Sequence, residues 1–370
     1  MSDRLLIGTR KGLFIHEKSG DGWAARHFHF EGVQVPAVLG DSRDGSLYAA
    51  LHHGHFGDKL HRSTDGGATW EEIAAPAFPP KPEDAPEVLC PMRGTPIPWN
   101  VELIWTLAAG GADRPGRLWA GTIPGALFRS DDSGNSWELV RGLWDRPERA
   151  KWFGGGYDYP GIHSILVDPR NSDRVIVGIS CGGVWITEDG GETWENRSQG
   201  MRADFMPPDQ TGDPDVQDPH AVALCHGAPG TLWCQHHCGI FRSTDDGRSW
   251  QVIEPVSPSG FGFAVAAHPV SPDTAWFVPA VKDENRIPVD GRLVVTRTRD
   301  GGRTFESLTR GLPADKAYDL VYRHGLDVDA TGHRLAFGST TGSLWTSEDG
   351  GESWDAISHH LPPVFIVRFG

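Results

Sequence analysis

The sequence has little from which to build long helices, disulfides or a membrane anchor. No stretch holds an apolar period of 3.6 residues for long, so helices are expected to be scarce. No apolar run approaches the roughly 20 residues that a membrane span requires, and no membrane partner is expected. Cysteine is sparse. The five residues are odd in number and lack a framework spacing, which argues against a disulfide scaffold and for free thiols in a reducing compartment. Cys234 and Cys238 form a C-x3-C pair, which is not a zinc-ribbon spacing, and no second pair follows. Positive charge is also short: 34 Lys and Arg stand against 49 Asp and Glu, a formal net charge of −15. Nucleic-acid phosphates would be repelled, so no nucleic-acid partner is expected. The opening MSDRLLIGTRKGLFI enters a strand-like run with no apolar leader region, and a cytoplasmic location is expected. The composition does not speak to the oligomeric state.

What the chain has instead is glycine (47), proline (28) and tryptophan (15). One phrase recurs in order: STDGGATW (Ser63–Trp70), SDDSGNSW (Ser130–Trp137), TEDGGETW (Thr187–Trp194), STDDGRSW (Ser243–Trp250), TRDGGRTF (Thr298–Phe305) and SEDGGESW (Ser347–Trp354). Its chemistry is that of a hairpin turn. The Asp carboxylate can accept hydrogen bonds from N–H groups of the turn. The Gly two positions on can take positive φ. The Trp returns on the next strand, where its ring can be buried against a neighbouring sheet. These six aspartates (Asp65, Asp132, Asp189, Asp245, Asp300 and Asp349) are therefore read as structural.

The repeat length is roughly 50–65 residues, and strand-turn-strand patterns precede each phrase. A four-stranded antiparallel meander has exposed faces, which radial repetition covers. The fold predicted is an all-β, seven-bladed β-propeller of four-stranded antiparallel blades, in one domain spanning 1–370. Blade 1 is composite, residues 1–32 plus 362–370. Its start, RLLIGTRKGLFI, lacks a first strand, SGDGW (Ser19–Trp23) reads as a shortened Asp turn, and PPVFIVRFG (Pro362–Gly370) is a strand without a successor. The C-terminal strand is expected to be the innermost of the N-terminal blade and to close the ring.

The six phrases resemble Asp-box (bacterial neuraminidase, BNR) repeats. The whole chain is similar to the sialidase-like superfamily of propellers, which includes sialidases, xyloglucan-cleaving glycosidases, sortilin-type receptors and a photosystem assembly factor. The resemblance is specific for fold and weak for function. It implies that the Asp turns lie on the face away from the active site. The working face then carries the turns between second and third strands and the connections between blades.

Aligned on the Asp phrase, the second-to-third-strand turns present Arg10, His52, Pro124, Cys181, His237 and Thr341, with an insertion in blade 6. The starts of the innermost strands present Glu102, His163 and His220. Long loops reach the same face: Ala75–Asn100, Asp145–Gly161 with Tyr157 and Tyr159, Met201–His220, and Val281–Gly291 with Arg286. Long ordered loops on a rigid scaffold often carry function.

Several chemistries fit this inventory. The sialidase pattern requires an arginine triad, a Tyr–Glu pair and an Arg-Ile-Pro motif in the first blade. Here Arg286–Pro288 falls in blade 6, and Arg10, Arg93, Arg286, Arg323 and Arg368 assign no triad, which argues against a true sialidase. A glycosidase with two carboxylates would use Glu102 and an acid from Asp158, Asp204, Asp215 or Asp218. A metal centre for Zn, Mn, Fe, Ni or Cu would draw His52, His163, His220 and His237 from separate blades, with Glu102 beside them. Cys181 and Cys238 are better read as small buried thiols. The function expected is a hydrolase or lyase acting on a sugar or other polar small molecule at the channel mouth, with or without the assistance of a metal ion. Its catalytic candidates are Glu102, His163, His220 and Tyr157, and its binding candidates Arg10, Tyr159 and Arg286. A non-enzymatic scaffold or binding module is the alternative.

Overall fold

The computed structural model describes residues 2–20, 22–85 and 87–370. Asp21, on which the reading of Ser19–Trp23 as a shortened Asp turn depends, lies outside them. Short runs rich in Val, Ile, Leu and Trp, broken by glycine turns, form seven four-stranded antiparallel sheets. Their innermost strands, from blade 1 to blade 7, are Val364–Phe369, Gln34–Gly40, Leu103–Ala109, Ile162–Asp168, Pro219–Leu224, Gly262–Ala267 and Leu326–Val328. Among the described residues the only α-helix is the single turn Arg141–Trp144.

The ring closes as the termini predicted. Val364–Phe369 pairs antiparallel with Arg4–Thr9, with Leu5 opposite Phe369 and Ile7 opposite Val367. The N–H of Arg10 donates to the Pro363 carbonyl at 2.9 Å. Leu5, Ile7, Val364 and Val367 are buried together with Ala336 and Leu344 of blade 7. The closing strand therefore completes a core as well as a sheet.

All six Asp phrases fold into one turn. In the first, the Ser63 hydroxyl and the Thr69 N–H donate to Asp65 Oδ1 at 2.8 and 2.9 Å, and the Thr69 hydroxyl donates to Oδ2 at 2.6 Å. The Ser63 oxygen also accepts from the Gly67 N–H at 2.9 Å. Gly67 has φ +93, and a Cβ there would stand 2.4 Å from Ile15 Cδ1. The turn thus needs glycine for its backbone angle and for its approach to blade 1. The aromatic that ends each phrase leans on the preceding blade. Trp250 Nε1 donates to the Arg197 carbonyl at 2.7 Å, and the ring is buried among Ile186 and Leu232.

On the opposite face no two connections are alike. Cys90 and Ile97 from the long loop after blade 2, Phe153 from the loop after blade 3, Cys181, and Met206 and Val216 from the loop after blade 4 form a small apolar cluster of their own. These side chains pin the loops to one another at one point, while most described residues of 79–96 remain exposed.

Candidate active site at the channel mouth

Two cavities, of about 860 and 430 Å³, open on the face away from the Asp turns and share Gly156, Arg286 and Arg323 as a common wall. The larger lies over blades 5 and 6 and contains Asp218, His220, His237, Phe261 and Phe263. The smaller lies over blades 2 and 3 and contains His52, Glu102, Trp105, Tyr157 and Tyr159.

In the larger cavity Asp218 precedes the innermost strand of blade 5, and His220 follows it two residues on. Strand alternation puts both on one face. His237 sits on the turn after the second strand of the same blade, and its N–H donates to the Asp218 carbonyl at 3.0 Å. His220 Nε2 and His237 Nδ1 each stand 3.5 Å from Asp218 Oδ2. Asp218 Oδ1 accepts from the Ser180 hydroxyl at 3.2 Å and the Cys181 N–H at 3.1 Å. His220 is stacked on Phe263, and its Nδ1 donates to the Gly262 carbonyl at 2.7 Å. Burial pushes the Asp218 carboxyl up, but the His220 and His237 imidazoles beside it outweigh burial and hold it well below the usual carboxylate range. Burial holds the fully enclosed His220 below the usual imidazole value. His237, more open, faces the same burial cost but is raised by Asp218.

In the smaller cavity His52 Nδ1 meets Asp58 Oδ1 at 2.7 Å, and Asp58 Oδ2 accepts the Ile104 N–H at 2.7 Å. The hydrogen bond to Asp58 raises the His52 imidazole, and Glu102 adds to the attraction. Glu102 is exposed and accepts from Asn100 Nδ2 at 2.6 Å. Trp105 presents its edge or face to Tyr157 at 5.1 Å between ring centroids. Tyr159 packs against Leu103, Trp105 and Ile123.

Between the cavities stands Arg323. It is 8 % exposed and its guanidinium lies 4.9 Å from the Trp105 ring centre and 5.5 Å from that of Phe263. Its Nε has no hydrogen-bond partner, and no carboxylate among the described residues lies within ion-pair distance of it. Burial lowers its pKa, and Asp218 works in the opposite direction. Arg286, by contrast, is paired with Asp283.

The structure therefore distributes the predicted site residues unevenly. His220 and His237 meet, but both belong to blade 5, not to separate blades. His52 is in the other cavity. His163 lines neither. It is buried with Nδ1 on the Ser164 hydroxyl at 2.9 Å and Nε2 on the Pro219 carbonyl at 2.8 Å, while its own carbonyl takes His324 Nε2 at 2.6 Å. With both ring nitrogens engaged, it ties blades 4, 5 and 7 together. Arg10 is exposed and lines neither cavity. Glu102, Tyr157, Tyr159 and Arg286 do line them. Cys181 is buried and Cys238 half-buried, its sulfur accepting the Asp204 N–H at 3.3 Å. In the sequence Asp218 is one loop acid among four candidates, and Arg323 one arginine among five. The two-residue spacing of Asp218 and His220 was a usable signal for the first. Arg323 had none, because it precedes the short innermost strand Leu326–Val328.

Fold and site together define a seven-bladed propeller with a loop-built, charged pocket at one mouth of its channel. No protein-family model matches the chain. It is 22 % identical over 278 residues to the oligoxyloglucan-reducing end-specific xyloglucanase of Emericella nidulans, and 25 % identical over 288 residues to a probable enzyme of the same description from Neosartorya fischeri. Those matches cover 68 % and 70 % of this chain but 32 % of each relative, so the chain spans about a third of their length. Among solved structures, the GH74 xyloglucanase of Xanthomonas campestris superposes with a TM-score of 0.64 at 18 % identity, over 98 % of this chain and 52 % of that one. YCF48 from Cyanidioschyzon merolae superposes at 0.56 and 16 % identity, over 94 % and 90 %. At these identities the structural likeness is one of fold.

Proposed function

We propose that the mouth is the active site of a sialidase-like propeller that cleaves a sugar or another polar small molecule by hydrolysis or elimination, and that its ligand carries an anionic group held by Arg323. The observation behind this reading is the guanidinium itself. A cation more than nine-tenths buried without a carboxylate partner is costly to maintain, and in a chain of net charge −15 it is not there for want of acids. Placed between two cavities, it has the geometry to take a carboxylate or phosphate oxygen. Tyr157 and Tyr159 line the smaller cavity beside the buried Trp105 and offer aromatic surface of the kind that a sugar ring or other compact polar ligand covers. Glu102 and the Asp58-supported His52 are the acid–base groups that face the smaller cavity. The xyloglucanase descriptions of the relatives agree with a carbohydrate ligand.

The test is a melting-point screen of the metal-free protein against matched pairs of neutral and anionic sugars: hexoses, uronic acids, sugar phosphates and sugar acids. Anionic members are expected to raise the midpoint and Arg323→Met to abolish the rise. Equal shifts from neutral and anionic members, or none from either, would overturn the reading. A shift with no turnover of any ligand would favour the binding-module alternative.

A further inference from the structure

We propose that Asp218, His220 and His237 bind a divalent first-row transition-metal ion on the floor of the larger cavity. This goes beyond the functional reading above, which requires no ion and rests on different residues.

One donor atom from each of the three residues lies within 4.8 Å of the others. The two imidazole nitrogens are 3.5 Å from the same carboxylate oxygen. That is too long for a good N–H···O hydrogen bond. It is close to the separation of about 3.4 Å between donors held roughly 2.1 Å from a tetrahedral ion.

The direction of the lone pairs agrees with an ion between the ligands. The Gly262 carbonyl can only accept, so His220 Nδ1 carries a proton in either charge state of the ring. In the protonated ring Nε2 is a donor toward Asp218 Oδ2; in the neutral ring, the form that binds a metal, Nε2 is a lone pair facing that acceptor. Two acceptors aimed at one another in a buried site repel, and a cation between them removes the repulsion. The supports behind the ligands match what metal sites use. A carbonyl fixes the far nitrogen of one imidazole, and a hydroxyl and an amide hold the far oxygen of the carboxylate. Phe205 and Phe261 hold the His237 ring edge-on at 4.9 and 5.8 Å.

Two imidazoles and one carboxylate suit Zn, Mn, Fe, Ni or Cu better than the all-oxygen preference of Mg or Ca. His237 is the ligand nearest the opening, so further positions on the ion face the cavity and are available to water or ligand. Arg323, Lys282 and the Arg286–Asp283 pair line the same cavity. Arg323 opposes a second positive charge, which makes this a site of moderate affinity and one where an anionic ligand and an ion assist each other.

The experiment uses untagged full-length protein, stripped with a chelator and titrated separately with Zn, Mn, Ni, Cu and, without oxygen, Fe(II). Bound metal is counted by mass spectrometry and affinity measured by calorimetry. About one equivalent of at least one ion is expected. His237→Ala, at the open edge of the fold, should abolish it with an unchanged melting midpoint. Ser180→Ala, behind Asp218, should weaken it about tenfold. Less than about a tenth of an equivalent of every ion, or binding that His237→Ala leaves intact, would overturn the proposal. The Arg323-dependent melting shift is read in metal-free protein, so the two proposals fail separately.

Discussion

The two faces of the propeller solve opposite problems with the same strands. On one face six turns repeat one hydrogen-bond pattern, and every oxygen of each Asp is met by a hydroxyl or amide of its own turn. On the other face no loop repeats, and a buried arginine is left without a carboxylate partner among the described residues. Repetition marks where the chain is spending residues on stability. Departure from the repeat, with a charged group held out of water and without an opposite charge, marks where it keeps energy available for a ligand.

Both faces depend on the seam between the two ends of the chain. A chain ending after His360 loses the strand that pairs with Arg4–Thr9 and the core it shares with blade 7. It should lose several kcal/mol of stability, seen as a large fall in melting midpoint. An unchanged midpoint would mean that the ring is not held at this point.

Next come paired substitutions on the two faces. Asp245→Ala removes the acceptor for the Ser249 N–H and hydroxyl and should cost about 1–3 kcal/mol while leaving ligand binding intact. Arg323→Met removes a buried cation without a partner, so its midpoint should hold or rise while anion binding is lost. If Asp245→Ala abolished binding in folded protein, the faces would be assigned the wrong way round.

Acid should act through the turns. Asp300 is lowered to about 2 by the Thr304 hydroxyl and then the Thr304 N–H, and Asp65 is lowered by the equivalent Thr69 groups. Asp132 is lowered chiefly by the Ser136 hydroxyl. In Asp189, Asp245 and Asp349 burial pushes upward, and the turn hydroxyls and amides outweigh it. A carboxyl whose folded pKa lies below its unfolded one stabilises the fold above the unfolded value. That contribution is lost as pH falls through the folded one. Denaturant midpoints should therefore decline between about pH 4 and pH 2, and Asp300→Asn should make the decline shallower. The smallest stability change is expected for the exposed Glu102→Gln, which should leave the melt untouched and lower any turnover about a hundredfold or more.

The fold was readable because its information is local and redundant. Six copies of Ser/Thr-x-Asp-x-Gly fix the turns, and an orphan strand at one end fits a missing strand at the other. The site was readable in part. His220 and His237 were visible because they stand at equivalent positions in an alignment of blades. The alignment could not say which equivalent positions touch. His163 occupies the same place in its blade as His220, yet Ser164 and the Pro219 carbonyl engage both of its nitrogens. What distinguishes the two is the residue two positions earlier: Gly161 in one blade and Asp218 in the other. Arg323 stood among five candidate arginines, and what sets it apart could not be read, since the lack of an opposite charge beside a guanidinium shows only in three dimensions.

The pairing of Leu5 with Phe369 has a consequence in time. Loop-closure entropy grows slowly with length, so a contact that spans the chain adds little to the equilibrium toll of folding. The effect on rate is larger, because non-local strand pairings form late. During synthesis, six blades can stack in order while Arg4–Thr9 waits with one edge uncovered. An open edge is a template for any strand that arrives first, including the matching strand of a second copy. Refolding yield should therefore fall as protein concentration rises, and the product that accumulates should be copies that have exchanged their closing strands.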